Sequence, residues 1–179
     1  MSVWGIRALE SDRGLDAIDC LSASYLRDRQ QINLEEMAQL LMSQGLLGRD
    51  EQSSSLSSDT TALVLAELLY EWHVYGSPEY DCDCAGVIWQ SITAFSAAPE
   101  SVDKLLHHVE DIYADVCARN DSRPLVRHWL HSACCSAWVE HLENLIQMLT
   151  DLRDEALRQN ALQALHCSQQ LNSGACRAP

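Results

Sequence analysis

Apolar residues recur along this chain with the 3.6-residue period of helices, and clusters of Gly, Pro, Ser, Asn and Asp break the pattern at short intervals. Over residues 12–28, Leu15, Ile18, Leu21 and Leu26 mark one buried stripe, with Asp12 placed to cap the helix. Asn33 and Glu36 have the spacing of a capping box; Leu34, Met37, Leu40 and Leu41 form the stripe behind it, and Gly45 reads as the stop. The Ser-rich, charged stretch 49–58 predicts an exposed loop. Asp59 then reads as the cap of a helix over 60–75, closed by Gly76-Ser77-Pro78. That segment is apolar on nearly every side, the mark of a helix central to its domain. Its polar residues Glu67 and Glu71 are four apart and share one face.

An acidic turn from Glu79 to Cys84 leads into a modest helix over 87–92. Pro99 suits a first helical turn, and Val102, Leu105, Leu106, Val109, Ile112, Tyr113 and Val116 continue with helical period. Asn120-Asp121-Ser122 ends that helix, and Pro124 opens a short one containing Val126, Trp129 and Leu130. A long last helix begins near Cys134, carries Trp138, Leu142, Leu145, Ile146, Leu149 and Leu152, and continues past Ala161. No strand-length alternation and no fixed-period repeat is present, which leaves room only for a small hairpin near the N-terminus. The expected fold class is all-α: an irregular bundle of six or seven helices with a long C-terminal helix. It forms one domain over residues 1–172, followed by a frayed tail over 173–179.

Composition adds a charge argument. The 179 residues are 47% hydrophobic, enough for one core, and carry 26 acidic against 12 basic residues for a net charge of −14. Nucleic-acid binding needs a cationic face, and Lys104 is the only lysine, so direct binding to nucleic acid or to an anionic membrane is disfavoured. The first 100 residues hold 16 of the acids and 5 of the bases. An acidic half attracts a basic partner, or simply keeps a protein in solution. There is no run of about 18 apolar residues and no secretory pattern at the start, so the expected location is cytoplasmic.

Candidate chemistry is sparse. Without a secretion signal, most of the eight cysteines are expected to be small buried hydrophobes rather than disulfide partners. Cys82-x-Cys84 and Cys134-Cys135, with His128 and His131 nearby, offer zinc-type donors, but not at the spacing of paired C-x₂₋₄-C ligands, so no metal is expected. No nucleophile elbow, phosphate loop or H-E-x-x-H occurs, and no cofactor is expected. His107 with Asp111, Asp111 with Asp115, and His128 with His131 have helical i,i+4 or i,i+3 spacing that a hydrolase or metal site would use; a solvated helix face is the simpler reading. Five tryptophans against one phenylalanine predict core anchors. Trp89, near Asp81 and Asp83, is the candidate for an interface anchor instead.

The opening Trp4-Gly5 followed by Glu10-Ser11-Asp12-Arg13-Gly14-Leu15-Asp16 resembles a group of small bacterial proteins that begin with W-G and then (N/S)-D-x-x-L-D entering a helix. Residues 59–68 and 138–143 are similar to the same group, so the resemblance covers about residues 1–155. In physical terms the motif is a folding device. Trp4 packs under the bundle, Gly5 permits a tight turn, Asp12 caps the helix on which Leu15 is buried, and Asp16 suits the positive helix end. The chain departs from the group in its cysteine content and in its helix beyond about Arg158. Some members of such groups look like immunity proteins encoded beside toxins, and by analogy the resemblance implies partner binding rather than catalysis.

The expectation is therefore a non-enzymatic, immunity- or antitoxin-like protein that neutralises a basic, nuclease-like protein toxin. The expected partner-binding residues are Glu67, Glu71, Glu79, Asp81, Asp83 and Trp89. The alternatives are a small metal-dependent hydrolase built on the histidine groups, or a regulatory protein that self-associates through its long C-terminal helix.

Overall fold

The computed structural model describes residues 5–27, 29–48, 55–78 and 89–174, with side chains in the last helix described through Gln159 and at Leu162. A 3-10 turn, Ala8–Glu10, leads into α1 (Asp12–Ser24), β1 (Gln31–Asn33), α2 (Leu34–Ser43), α3 (Leu56–Tyr75), β2 (Ala94–Ser96), α4 (Pro99–Cys117), α5 (Pro124–Leu130) and α6 (Cys135–Gly174). The all-α expectation holds, with six helices among the described residues. Trp4, Glu79, Asp81, Asp83 and the start of the helix expected over 87–92 lie outside the described residues. No helix among those described is long and apolar enough to cross a membrane.

The entry to α1 differs in detail from the expected cap. Ser11, not Asp12, is the N-cap: its Oγ accepts from the Gly14 N–H at 3.0 Å and donates to the Ala8 carbonyl at 2.7 Å. Asp12 takes the first helical position and is exposed, as is Asp16; both still sit at the positive end of the helix. Leu15 is half-buried, and the inward stripe runs instead through Gly14, Ala17, Ile18 and Leu21. The reason is the close approach of two backbones. A Cβ on Gly14 would fall 1.9 Å from the Ala8 carbonyl oxygen, so the 3-10 turn lies flat against the helix only because residue 14 has no side chain. Gly5 serves similarly, since the Glu10 carboxylate that accepts from the Arg7 N–H occupies the space where its Cβ would project.

At α2 the capping box is half realised. Asn33 Oδ1 accepts from the Glu36 N–H at 3.1 Å, but Glu36 turns away to accept from the Tyr25 hydroxyl at 2.6 Å and to pair with Arg29. The Tyr25 oxygen in turn accepts the Asn33 N–H. The strand content is a parallel pair rather than an N-terminal hairpin: Gln31 lies opposite Ala94, Ile32 opposite Phe95 and Asn33 opposite Ser96. Three residues are too few to display a period of two.

Helix α3 is the axis of the domain. It begins at Leu56, four residues earlier than its expected start, because Ser55 caps it by accepting from the Ser58 N–H at 3.0 Å. Asp59, read as the cap, is inside the first turn and buried. The helix ends on Gly76 in the left-handed conformation, φ 72°. Thirteen of its 20 residues are buried, and it packs against each of the other five described helices. Helices α4 and α6 form the main antiparallel pair, with Tyr113 donating to Glu143 at 2.7 Å and Arg153 to Asp103 at 3.3 Å. Trp129 of α5 stacks on Trp138 of α6, ring centroids 5.0 Å apart and nearly parallel at 11°. At 40 residues, α6 spans about 60 Å.

Replacing glycine by alanine inside a helix ordinarily stabilises it by about 1 kcal/mol. Gly14→Ala reverses that sign here, because the methyl must displace backbone; the expected loss is about 1–3 kcal/mol in urea denaturation. A stabilised variant would show that the 3-10 turn is not clamped on α1.

Candidate functional site

Glu67 and Glu71 stand one turn apart on a helix whose other faces are apolar. A carboxylate there must find cations and donors from elsewhere in the fold, because an unpaired buried charge costs several kcal/mol. Both are deeply buried, at 2% and 3% exposure. Glu67 Oε1 accepts from the Ala8 N–H at 2.7 Å and from His141 Nε2–H at 2.7 Å, and Oε2 accepts from the Leu9 N–H at 2.9 Å. Glu71 pairs with Arg7. Burial pulls the Arg7 pKa down, but the charges of Glu71 and Glu67 outweigh it, and the net shift is upward.

These groups floor a cleft of about 170 Å³ between the N-terminal segment, α3 and α6, completed by Tyr70, Tyr75 and Asn144. Two carboxylates, one guanidinium and the His141 imidazole thus line the cleft together. Tyr75 stands on its lip, 59% exposed, beside Val74 at 48%. Among the described residues, the other large hydrophobics this exposed are Leu157 and Leu162, on α6.

A second ionic cluster lies toward the other end of α3. Asp59 Oδ1 accepts from Arg123 Nη1 at 2.7 Å and from His108 Nε2–H at 3.0 Å. Arg123 Nε also donates to Asp115 Oδ2 at 2.7 Å, so the cluster ties α3 to α4 and to the residue before α5. Burial opposes the Arg123 charge, and Asp115 with Asp59 overcomes it, raising its pKa.

The expected partner-binding set is thus divided. Glu67 and Glu71, expected on an acidic outer face, are interior carboxylates that reach solvent only through the cleft. Trp89, the candidate interface anchor, is fully buried and donates its Nε1–H to Ser22 Oγ at 3.2 Å, so it is a core residue. Glu79, Asp81 and Asp83 fall outside the described residues. Arg7, His141 and Tyr75 belong to the site and escaped the sequence reading. A signal for the first two existed: two acids in a helix apolar all round demand cationic partners.

The histidine groups do not converge. His107 is exposed beside Glu110, at 3.2 Å, and Asp103, and makes no hydrogen bond with Asp111. His128 meets Trp129 edge-on, and His131 Nδ1 lies 2.8 Å from the Arg127 carbonyl, both on an exposed surface. Among the described residues no three His, Cys, Asp or Glu side chains form a group fit for a metal. Contrary to the expected burial, Cys117 and Cys134 are exposed and Cys20 and Cys135 half-buried, all four as free thiols.

Glu67→Ala removes the acceptor for two buried N–H groups and for His141 at once. The expected loss is about 3–5 kcal/mol of folding stability by chemical denaturation. A loss below about 1 kcal/mol, the scale of an exposed ion pair, would contradict an internal clamp.

Set beside known proteins, the chain matches no protein family, no curated protein and no solved structure.

Proposed function

We propose that this protein acts by binding a basic protein partner, in the manner of an immunity protein that occludes a nuclease-like toxin. The observation that carries the reading is Tyr75, 59% exposed on the lip of a cleft floored by two carboxylates. An exposed aromatic is the residue type that anchors interfaces, and the carboxylates beneath it complement a Lys or Arg side chain entering from outside. Sequence extends the same character. Glu79, Asp81 and Asp83 follow Tyr75 within eight positions, in a chain of net charge −14. Acidic groups so placed stand in for phosphate toward a nucleic-acid-degrading partner and accelerate encounter.

The test is capture of partners on the tagged protein at low and high salt, followed by association kinetics on any that is recovered. The expected result is one stoichiometric basic partner released by salt. Tyr75→Ala should weaken it by about 1–2 kcal/mol without changing stability, and Asp81→Lys with Asp83→Lys should slow association, most at low salt. A partner indifferent to all three substitutions and to salt would overturn the reading.

A second reading, self-association through α6, is favoured by Leu157 and Leu162, 51% and 58% exposed on the same helix. Light scattering across a concentration series decides it: a mass of 20.0 kDa at every concentration rules it out, and a rise toward twice that value supports it.

A further inference from the structure

Protein interiors are close-packed, so room for a small guest is found at hollows that open to solvent. Between α2, α3 and α4, well away from the Tyr75 cleft, the chain leaves a hollow of about 290 Å³ that opens to solvent. It exists because small residues, Ala38, Gly48 and Ala62, stand where larger side chains would fill it. Leu34, Met42, Leu65 and Leu105 are the principal apolar surfaces of the wall, and Gln39 adds a polar one.

The rim carries one charge of each sign. Glu35 comes from the first turn of α2 and Lys104 from α4. The two are not paired with each other. Glu35 Oε1 accepts from the Ser101 hydroxyl at 2.7 Å, and Lys104 has no ion-pair partner among the described residues. Ser101 and Lys104 are i,i+3 on α4, about 5–6 Å apart on the same helix face. Glu35 and Lys104 therefore face the same opening from neighbouring helices without forming an ion pair, which leaves each charge able to meet a group of opposite sign on one small zwitterion. His108, one turn beyond Lys104, also lines the hollow; its Nε2 is committed to buried Asp59, which fixes the ring.

We infer that this hollow binds a free α-amino acid with an apolar side chain. The ammonium group docks on Glu35, the carboxylate docks on Lys104, and the side chain fills the space among Leu34, Met42, Leu65 and Leu105. The paired charges set the specificity. A bare carboxylate with an apolar tail meets repulsion from Glu35, and an amine with the same tail meets it from Lys104, so only the zwitterion satisfies both ends. The apolar part of the wall favours a side chain of the same character.

Isothermal titration calorimetry on the full chain tests this, with saturation-transfer NMR as a second readout that does not depend on binding heat. The probes are L-leucine, L-methionine and L-phenylalanine, with L-serine as the polar control. 4-Methylpentanoate and 3-methylbutylamine are leucine without its ammonium and without its carboxylate. The expected result is saturable one-to-one binding of at least one apolar amino acid, weakened about tenfold or more in either analogue and in Lys104→Gln or Glu35→Gln. Both substitutions are on the rim, and circular dichroism of each variant is the check that the fold is kept. No saturable binding of any of the three amino acids by either method overturns the inference. So does equal binding of leucine and its two analogues, or wild-type affinity in both variants.

Discussion

Two carboxylates in the greasy middle of α3 are the constraint around which this domain is arranged. Burial of Leu63, Val64, Leu65, Leu68 and Leu69 makes α3 central, but apolar burial has no direction and does not say which neighbour lies where. Glu67 and Glu71 supply the direction. They admit only an arrangement that brings donors and cations to them, and the N-terminal segment with α6 provides both. Asp59 does the same toward the opposite end of the helix, drawing in His108 and Arg123. The axis of the bundle is thus greasy in the middle and ionic at two stations, and each station selects its own neighbours.

The same arrangement shapes the outer surface. Bases are scarce, and several of them are committed to partners within the fold: Arg7 to Glu71, Arg123 to Asp59 and Asp115, and Arg153 to Asp103. Each of these pairs uses an acid as well as a base, so the excess of acids stays unmatched and the net charge is −14. The cleft beneath Tyr75 is where the internal and external electrostatics join, since its floor belongs to the ionic station and its lip to the surface.

Much of this was legible in the residues. The helical periods, the central position of residues 60–75, and the breaks at Gly76, Pro99 and Pro124 needed only spacing and turn chemistry. Caps were misplaced at two helices for one reason: Ser11 and Asp12 compete for the same role, as do Ser55 and Asp59, and local sequence does not say which of the two will take it. The outward reading of Glu67 and Glu71 failed because shared spacing shows only that two side chains lie together; whether that face is wet depends on residues 7 and 141, far away along the chain. Trp89 next to acidic residues in sequence is not next to them in burial, because its ring fills a space beside Ser22. The Glu35–Lys104 rim was invisible for a similar reason, since it requires α2 and α4 to be set side by side.

The bonds that Glu67 makes also bear on the order of events in folding. Its acceptors close contacts with residues 59 and 58 positions earlier and 74 positions later. Loops of that length are slow to close and bring little reward until all ends have arrived. Until α6 is in place, the first helix and the central helix hold an acidic station that still lacks its imidazole. The station around Glu67 is thus completed only when the N-terminal segment, α3 and α6 have all come together.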